Sequence, residues 1–71
     1  GANLSGVDLS SSDLLGANLS KSNLSGANLS GVDLSSSNLS GAILFKASLV
    51  DTKVGMETNL IGVGLKGAYL S

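Results

Sequence analysis

Leucine recurs at every fifth position through most of the chain, with small and polar residues between. It fills ten consecutive places at this spacing, from Leu4 to Leu49. A small residue lies two places before each of these leucines, and eight of the ten intervening positions are asparagine or aspartate. Serine and glycine usually occupy the other two places, so the unit reads A-(N/D)-L-S-G. The hydrophobic pattern therefore has a period of five residues.

A period of five fits neither an α-helix nor a flat strand. Five residues advance about 140° around a helix axis, which would scatter the leucines over all sides. In a strand, successive leucines would alternate between the two faces. A chain that turns a corner once in five residues places every leucine inside. Four corners close a coil of about 20 residues, so the sequence predicts an all-β solenoid of about 3.5 coils, stacked about 4.8 Å apart.

The solenoid is predicted to have one inward column, with one large apolar residue from each unit. We expect this structural core to consist of Leu4, Leu9, Leu14, Leu19, Leu24, Leu29, Leu34, Leu39, Leu44, Leu49, Val54, Leu60, Leu65 and Leu70. The small residue two places earlier also points inward, since so narrow a coil has no room for a second large side chain.

The phase of the repeat defines a single domain over residues 1–71. It is strict over 1–54, gains one residue near 55–59 and resumes over 60–71. The extra residue predicts a bulge or a small outward loop. One interpretation is a recognition loop using Lys53, Met56 and Glu57; the other is sequence drift toward the end of the repeat array.

The repeat closely resembles that of the pentapeptide-repeat family, whose consensus is A-(D/N)-L-x-x. The resemblance covers nearly all of the chain and implies a right-handed quadrilateral β-helix, a handedness that periodicity alone does not give. It also implies a scaffold without catalysis, as in many members of the family. Some larger members are dimers that imitate duplex DNA and protect type II topoisomerases.

Composition removes most of the chemistry that an enzyme needs. The chain has no histidine and no cysteine, so the commonest general base and metal ligand are absent together with any thiolate. No Ser-x-x-Lys arrangement is available to activate a serine. Asp13 and Asp33 are expected to stack one above the other, with Lys53 in the next coil, and we interpret them as solvated turn residues. The sequence thus predicts no enzyme, no cofactor, and no catalytic or metal-binding residues.

The charge balance excludes other classes of partner. Four lysines against five acids give a net charge of -1, with neither a basic footprint for nucleic acid nor a patch for a membrane surface. Imitation of DNA over about 17 Å of solenoid would need on the order of ten uncompensated acids. Gyrase protection by DNA mimicry is therefore the weaker alternative. Ice binding is weaker still, because the regularly spaced serines spread over all four faces.

Apolar residues at outward positions of the second half suggest a contact surface. This candidate partner surface consists of Ile43, Phe45, Val50, Met56, Ile61 and Tyr69. Its occupant is expected to be a protein partner or flanking parts of a longer chain, and an end-to-end homodimer is a further expectation, because bare coil ends invite stacking. Contact with a cap and scattered exposure are the competing interpretations.

The sequence accordingly predicts a structural or interaction scaffold, a rigid rod that presents faces or ends for protein–protein contact. No apolar stretch is long enough for a membrane span. The sequence favours a soluble protein, cytoplasmic rather than secreted, and leaves the compartment open.

Overall fold

The computed structural model describes residues 1–55 and 57–70, which wind into a four-sided coil. Extended strands and helices are absent from these residues, and the coils are joined by isolated parallel bridges. Each bridge is centred on the residue before the inward leucine, which is the asparagine or aspartate position of the repeat. One such bridge lies on most sides between neighbouring coils.

The bridges give the register of the solenoid. Partners are 20 residues apart from Asn3↔Asn23 to Asp33↔Lys53, and 21 residues apart from Asn38↔Asn59 onward. The register thus changes by one residue within 54–58. We name coil 1 as residues 2–21, coil 2 as 22–41, coil 3 as 42–62, and the incomplete coil 4 as 63–70.

The bridges also define four faces, A to D in chain order. Face A holds 2–6, 22–26, 42–46 and 63–67; face B holds 7–11, 27–31, 47–51 and 68–70; face C holds 12–16, 32–36 and 52–55; face D holds 17–21, 37–41 and 58–62.

Nearly all corners are tight turns that start at the inward leucine. The N–H three residues on donates to the leucine carbonyl, as from Ala27 to Leu24 at 3.0 Å. The residue before that donor commonly has a positive φ, such as 70° at Gly26, which marks a type II turn and explains the glycine of the repeat. Four other residue positions accept the same conformation without glycine: Lys21, Ser36, Lys46 and Asp51.

A single pentapeptide shows how the backbone N–H groups are satisfied, and 22–26 is representative. Its five N–H groups donate in chain order to the carbonyls of Leu19, Ala2 and Ile43, to Oδ1 of Asn23, and to the carbonyl of Phe45, at 2.7 to 3.2 Å. One bond closes the corner, three join coils, and one uses a side chain. All five N–H groups of the unit are paired, as a stable backbone without regular secondary structure requires.

The core is continuous through the middle of the solenoid. Its buried apolar residues are Leu19, Leu24, Ala27, Leu29, Val32, Leu34, Leu39, Ala42, Leu44 and Ala47, with Leu4, Leu9, Leu14 and Leu49 half-buried against them. Two small polar residues, Ser22 and Ser37, are buried in the same layer, and the Ser37 hydroxyl donates to the Leu34 carbonyl at 2.6 Å.

The last four residues of the predicted core column are not buried. The exposed fractions are 59% for Val54, 46% for Leu60, 43% for Leu65 and 62% for Leu70. They still face the solenoid interior, because they line one open cavity together with Leu34, Leu39, Leu44 and Leu49. Their exposure arises because no coil of the described chain lies above them. Assigning them to the buried core was therefore wrong, although their inward direction follows the period.

Candidate interaction surfaces

The asparagine and aspartate of the repeat are hydrogen-bond acceptors for the backbone. In each case the side-chain Oδ1 accepts the N–H of the residue two places on, at 2.9 to 3.2 Å. The accepting residues are Asn3, Asp8, Asp13, Asn18, Asn23, Asn28, Asp33, Asn38 and Asn59. This is an Asx turn. The signal for this turn in the sequence is the serine that follows most of these residues two places on.

Many of the regularly spaced serines make hydrogen bonds in the same turns. The hydroxyls of Ser5, Ser10, Ser20 and Ser35 donate to the neighbouring Oδ1 at 2.6 to 2.9 Å. Ser30 and Ser48, in adjacent coils of face B, share a hydroxyl contact at 2.8 Å. These hydroxyls therefore stabilise the outer wall of the solenoid.

Two aspartates gain acidity from these contacts. The Ser10 hydroxyl, followed by the Ser10 N–H, lowers the pKa of Asp8. The hydroxyl and N–H of Ser35 lower the pKa of Asp33 in the same way, and the charge of Lys53 adds a smaller effect in the same direction. Hydrogen bonds to the ionised form are the dominant cause in both cases.

Face C holds the two aspartates and the lysine that the repeat places in successive coils. The Gly16 N–H donates to the Ser35 carbonyl at 3.1 Å between coils 1 and 2, and Asp33 pairs with Lys53 through a backbone bridge between coils 2 and 3. Among residues 1–55 and 57–70, no group of three or more acidic residues is placed to hold a metal ion.

Two of the six candidate partner residues lie on face A of coil 3. Ile43 and Phe45 are both exposed, and Phe45 lies against Gly64 in the coil above. A methyl group at Gly64 would come within 2.7 Å of Phe45 Cε1. Because Gly64 does not have a positive φ, the aromatic ring, and not the backbone, is the reason for a glycine there. One side of the ring is thereby supported, while the residue stays 42% exposed.

Three other candidates lie outside face A, on faces B and D. Ile61 is 77% exposed at the corner between faces D and A, and Tyr69 is 63% exposed on face B. Val50 is only half-buried at the far corner of face B, and Met56 lies outside the described residues. We call Ile43, Phe45, Ile61 and Tyr69 the apolar belt, since they lie on or beside face A in coils 3 and 4.

The one-residue insertion is held by a threonine, Thr58, that no pattern in the sequence marks. Thr58 Oγ1 accepts the Gly55 N–H at 3.0 Å and donates to the Leu34 carbonyl in the coil below at 2.9 Å. The Thr58 N–H closes the turn on the Gly55 carbonyl at 3.1 Å. Glu57 accepts a hydrogen bond from Ser36 at 3.0 Å. The described part of the insertion is therefore tied to coil 2.

A cavity of about 200 Å³ is lined by leucines of coils 2 to 4 with Thr52 and Val54. The lining is almost entirely apolar, and no charged side chain takes part in it. It offers few of the polar groups that orient a polar small molecule.

Comparison with known proteins agrees with this geometry. The sequence profile described as pentapeptide repeats matches eight copies, over residues 2–41 and 22–54. The chain belongs to the pentapeptide-repeat family. The right-handed quadrilateral β-helix expected from the resemblance is confirmed by the family and by solved structures of its members.

Three solved structures illustrate the likeness. A pentapeptide repeat protein of the Arabidopsis thaliana thylakoid lumen is 28% identical with a TM-score of 0.71, over 99% of this chain and 51% of that one. HetL, a pentapeptide repeat protein involved in heterocyst differentiation regulation in the cyanobacterium Nostoc, is 35% identical with a TM-score of 0.63, over 96% and 38%. Rfr23, a pentapeptide repeat protein of the cyanobacterium Cyanothece, is 36% identical with a TM-score of 0.52, over 97% and 40%.

The chain spans about half, or less, of the length of these three proteins. No curated protein matches it significantly. In residues 1–55 and 57–70 there is no helix whose length and apolarity would let it span a bilayer.

Proposed function

We propose that the chain is a non-catalytic scaffold, a rigid solenoid whose outer surface contacts another protein. The observation that carries this proposal is the apolar belt. In coils 1 and 2 the bridge position of face A is asparagine, Asn3 and Asn23, whereas coil 3 places Ile43 there, with Phe45 exposed beside it. Exposed apolar and aromatic side chains grouped in this way are typical of protein interfaces.

The contacts within the wall support the absence of catalysis. The serine hydroxyls that recur along the chain are engaged with asparagine and aspartate, as Ser20 is with Asn18 at 2.7 Å. With no histidine in the sequence, a general base for a serine would have to be a lysine or a carboxylate. The two carboxyls with lowered pKa, Asp8 and Asp33, are poor bases near neutral pH.

The charge arrangement does not favour imitation of DNA. A mimic needs acids in continuous rows along the axis. On face C, Lys53 lies in the coil above Asp33 at the bridged position, and its positive charge interrupts the row of acids. Protection of a topoisomerase is therefore not the function that we propose.

Affinity capture with matched variants tests the proposed surface. Tagged chain is used to capture proteins from an extract of the source organism, alongside Phe45→Ser, Ile61→Ser and the control Leu15→Ser. Leu15 is also exposed but lies on face C of coil 1. We expect a protein that is retained by the wild-type chain and by Leu15→Ser, and lost by both belt variants. Equal capture by all four chains would contradict a role for the belt.

A further inference from the structure

The charged residues of the chain are divided between two halves of the outer wall of the solenoid. Faces A and D hold three of the four lysines and, among residues 1–55 and 57–70, no acid. The other half consists of faces B and C with the insertion that follows face C, and it holds all five acids and one lysine. The lysines of the first half are Lys21, Lys46 and Lys66, and the acids of the second are Asp8, Asp13, Asp33, Asp51 and Glu57. All of these side chains are exposed.

The net charge of -1 is therefore the sum of two opposite charges. Faces A and D carry +3, and faces B and C with the insertion carry -4. The Cα atoms extend over 24 × 21 × 19 Å, whereas exposed charges are largely screened from one another beyond about 8 Å at physiological ionic strength. The acids of face C, on the opposite side from face A, consequently do little to offset the lysines. A molecule that approaches face A meets a positive surface.

Two of these lysines border the aromatic ring of the apolar belt. The register of face A places Lys66 in coil 4 directly above Phe45 in coil 3. Lys46 follows Phe45 in the chain, and its N–H donates to the Lys66 carbonyl at 2.9 Å. The exposed ring thus has one lysine beside it along the chain and another along the solenoid axis.

The fold anchors two lysines at opposite borders of face A. Lys21 lies at its corner with face D and Lys46 at its corner with face B, and both have positive φ, of 58° and 60°. A methyl group at Gly67 would lie 3.1 Å from Lys46 Cγ. Gly41 has the same relation to Lys21 Cγ, at 3.4 Å. Each lysine stem therefore lies against a glycine of the coil above, where no side chain displaces it.

This combination of groups defines the chemistry of a partner. Apolar side chains surrounded by polar and charged ones are the usual arrangement of a protein–protein contact. Lysines at the border of such a surface attract carboxylates and oppose a basic partner. We propose that the partner presents an acidic segment, in which aspartate or glutamate flanks apolar side chains. Its apolar residues lie against Ile43 and Phe45, and its carboxylates lie against Lys46 and Lys66. This inference rests on the proposed outer-surface function and adds the partner's chemistry to it.

The acidic half of a second copy fits this surface less well. Beside Asp13 and Asp33, face C of coils 1 and 2 exposes one large apolar side chain, Leu15, whereas the belt has three on faces A and D. Lys53 on the same face C would also lie against the lysines of the first copy, and like charges brought together oppose binding. The occupant that we infer is thus a different protein.

Selection from a displayed library of random peptides tests this chemistry without knowledge of the natural partner. The library is selected in parallel on the immobilised wild-type chain, on Lys66→Glu and on the matched control Lys53→Glu, which makes the same change of charge on face C. We expect the wild-type chain and Lys53→Glu to enrich peptides that combine a negative net charge with apolar residues. Lys66→Glu is expected to enrich them less, because it replaces an attraction by a repulsion beside Phe45.

The affinity of the most enriched acidic peptide provides the quantitative measurement. By fluorescence polarisation, Lys66→Glu is expected to weaken binding about fivefold or more, and Lys53→Glu to stay within about twofold of the wild-type chain. Lys66→Gln removes the charge without reversing it and is expected to cause a smaller loss than Lys66→Glu. Raising the salt concentration is expected to weaken binding to the wild-type chain, because exposed charges are screened.

The outcomes distinguish this inference from the function on which it rests. Neutral or basic peptides that are enriched by the wild-type chain and lost with Phe45→Ser would overturn the acidic partner and leave the belt as a binding surface. Acidic peptides that bind the wild-type chain, Phe45→Ser and Lys66→Glu equally well would overturn both. A selection that enriches no peptide on the wild-type chain would overturn the inference.

Two further measurements test other occupants of the same surface. Tighter binding of a fluorescent oligothymidylate than of the acidic peptide would overturn the inference in favour of nucleic acid. Sedimentation equilibrium in which the wild-type chain self-associates and Lys66→Glu does not would overturn it in favour of a second copy. We expect neither result.

Discussion

At the scale of single residues, the asparagine or aspartate of the repeat supplies the hydrogen bond that the backbone cannot make. Four of the five N–H groups in a unit find carbonyls, and the fifth, that of the following serine, is accepted by Oδ1. At Lys53 the N–H two places on, that of Gly55, is accepted by Thr58 Oγ1 instead.

The first prediction concerns this side-chain acceptor in the middle of the solenoid. Asn28 accepts the Ser30 N–H at 3.0 Å in a partly buried position. Asn28→Ala leaves that donor without a partner, and we expect a loss of about 1–2 kcal/mol in the free energy of unfolding. Urea denaturation followed by circular dichroism measures the loss.

Asn28→Asp serves as the matched control, because it keeps the oxygen acceptor and follows the residue choice at Asp8 and Asp33. We expect it to stay within about 0.5 kcal/mol of the wild-type chain at neutral pH. If the alanine variant were as stable as the aspartate variant, the side-chain bond would contribute nothing.

The second prediction concerns acid. The pKa values of Asp8 and Asp33 are lowered in the folded chain by hydrogen bonds from Ser10 and Ser35. A carboxyl whose pKa is lower when folded stabilises the fold above its unfolded pKa of about 3.9, and this contribution is lost as the pH falls through the folded value. The urea midpoint is therefore expected to fall between about pH 5 and pH 2.

Replacing both carboxyls tests the origin of that dependence. Asp8→Asn/Asp33→Asn keeps the Oδ1 acceptors and removes the titrating charge, so its midpoint is expected to change less over the same pH range. Unchanged acid sensitivity in the double variant would assign the effect to other groups.

At this scale, part of the structure followed from the sequence and part did not. The inward direction of the leucines follows from spacing alone, because only a corner every five residues keeps them on one side. The positive φ at Lys21 and Asp51 could not be predicted, since side-chain identity disfavours that conformation there and the requirements of the closed coil override it. The reason for a glycine at position 64 could not be predicted either, because it is the ring of Phe45 in the coil below.

At the scale of elements, the insertion shows how a strict repeat absorbs one additional residue. Before it, bridged residues are 20 apart, and after it they are 21 apart, so the coils above and below keep their alignment. The position of the extra residue was predictable from the spacing between Val54 and Leu60. The way it is fastened was not, because the bond from Thr58 to the Leu34 carbonyl joins residues 24 apart.

The third prediction concerns this fastening. Thr58→Val removes both hydrogen bonds of Oγ1 while preserving the shape of the side chain, and it leaves the Gly55 N–H and the Leu34 carbonyl short of one partner each. We expect a loss of about 1–3 kcal/mol in the free energy of unfolding. Chemical denaturation measures it.

Thr58→Ser keeps the hydroxyl and is the control for this change. We expect it to retain most of the stability that Thr58→Val loses. Equal losses in the two variants would show that the methyl group, and not the hydrogen bonds, holds the insertion.

At the scale of the whole molecule, stability is expected to decline from the middle to the ends. Each coil contacts only the coils above and below it, so the free energy of a solenoid is close to a sum of coil and neighbour contributions. Coil 2 has neighbours on both sides, and its leucines are buried, as Leu29 and Leu34 are. The inward residues of the last coil lack one neighbour, which the period of the sequence does not reveal because the repeat looks the same in every coil.

The fourth prediction follows from this gradient and compares the same substitution, leucine to alanine, in coil 2 and in coil 4. Leu29→Ala empties a fully buried site and is expected to cost about 2–5 kcal/mol of unfolding free energy. Leu65→Ala changes a residue that is already 43% exposed, and the expected cost is about 1 kcal/mol or less. Urea denaturation at low micromolar concentration measures both changes. Equal costs at the two positions would mean that Leu65 is as well covered as Leu29, which would contradict the gradient.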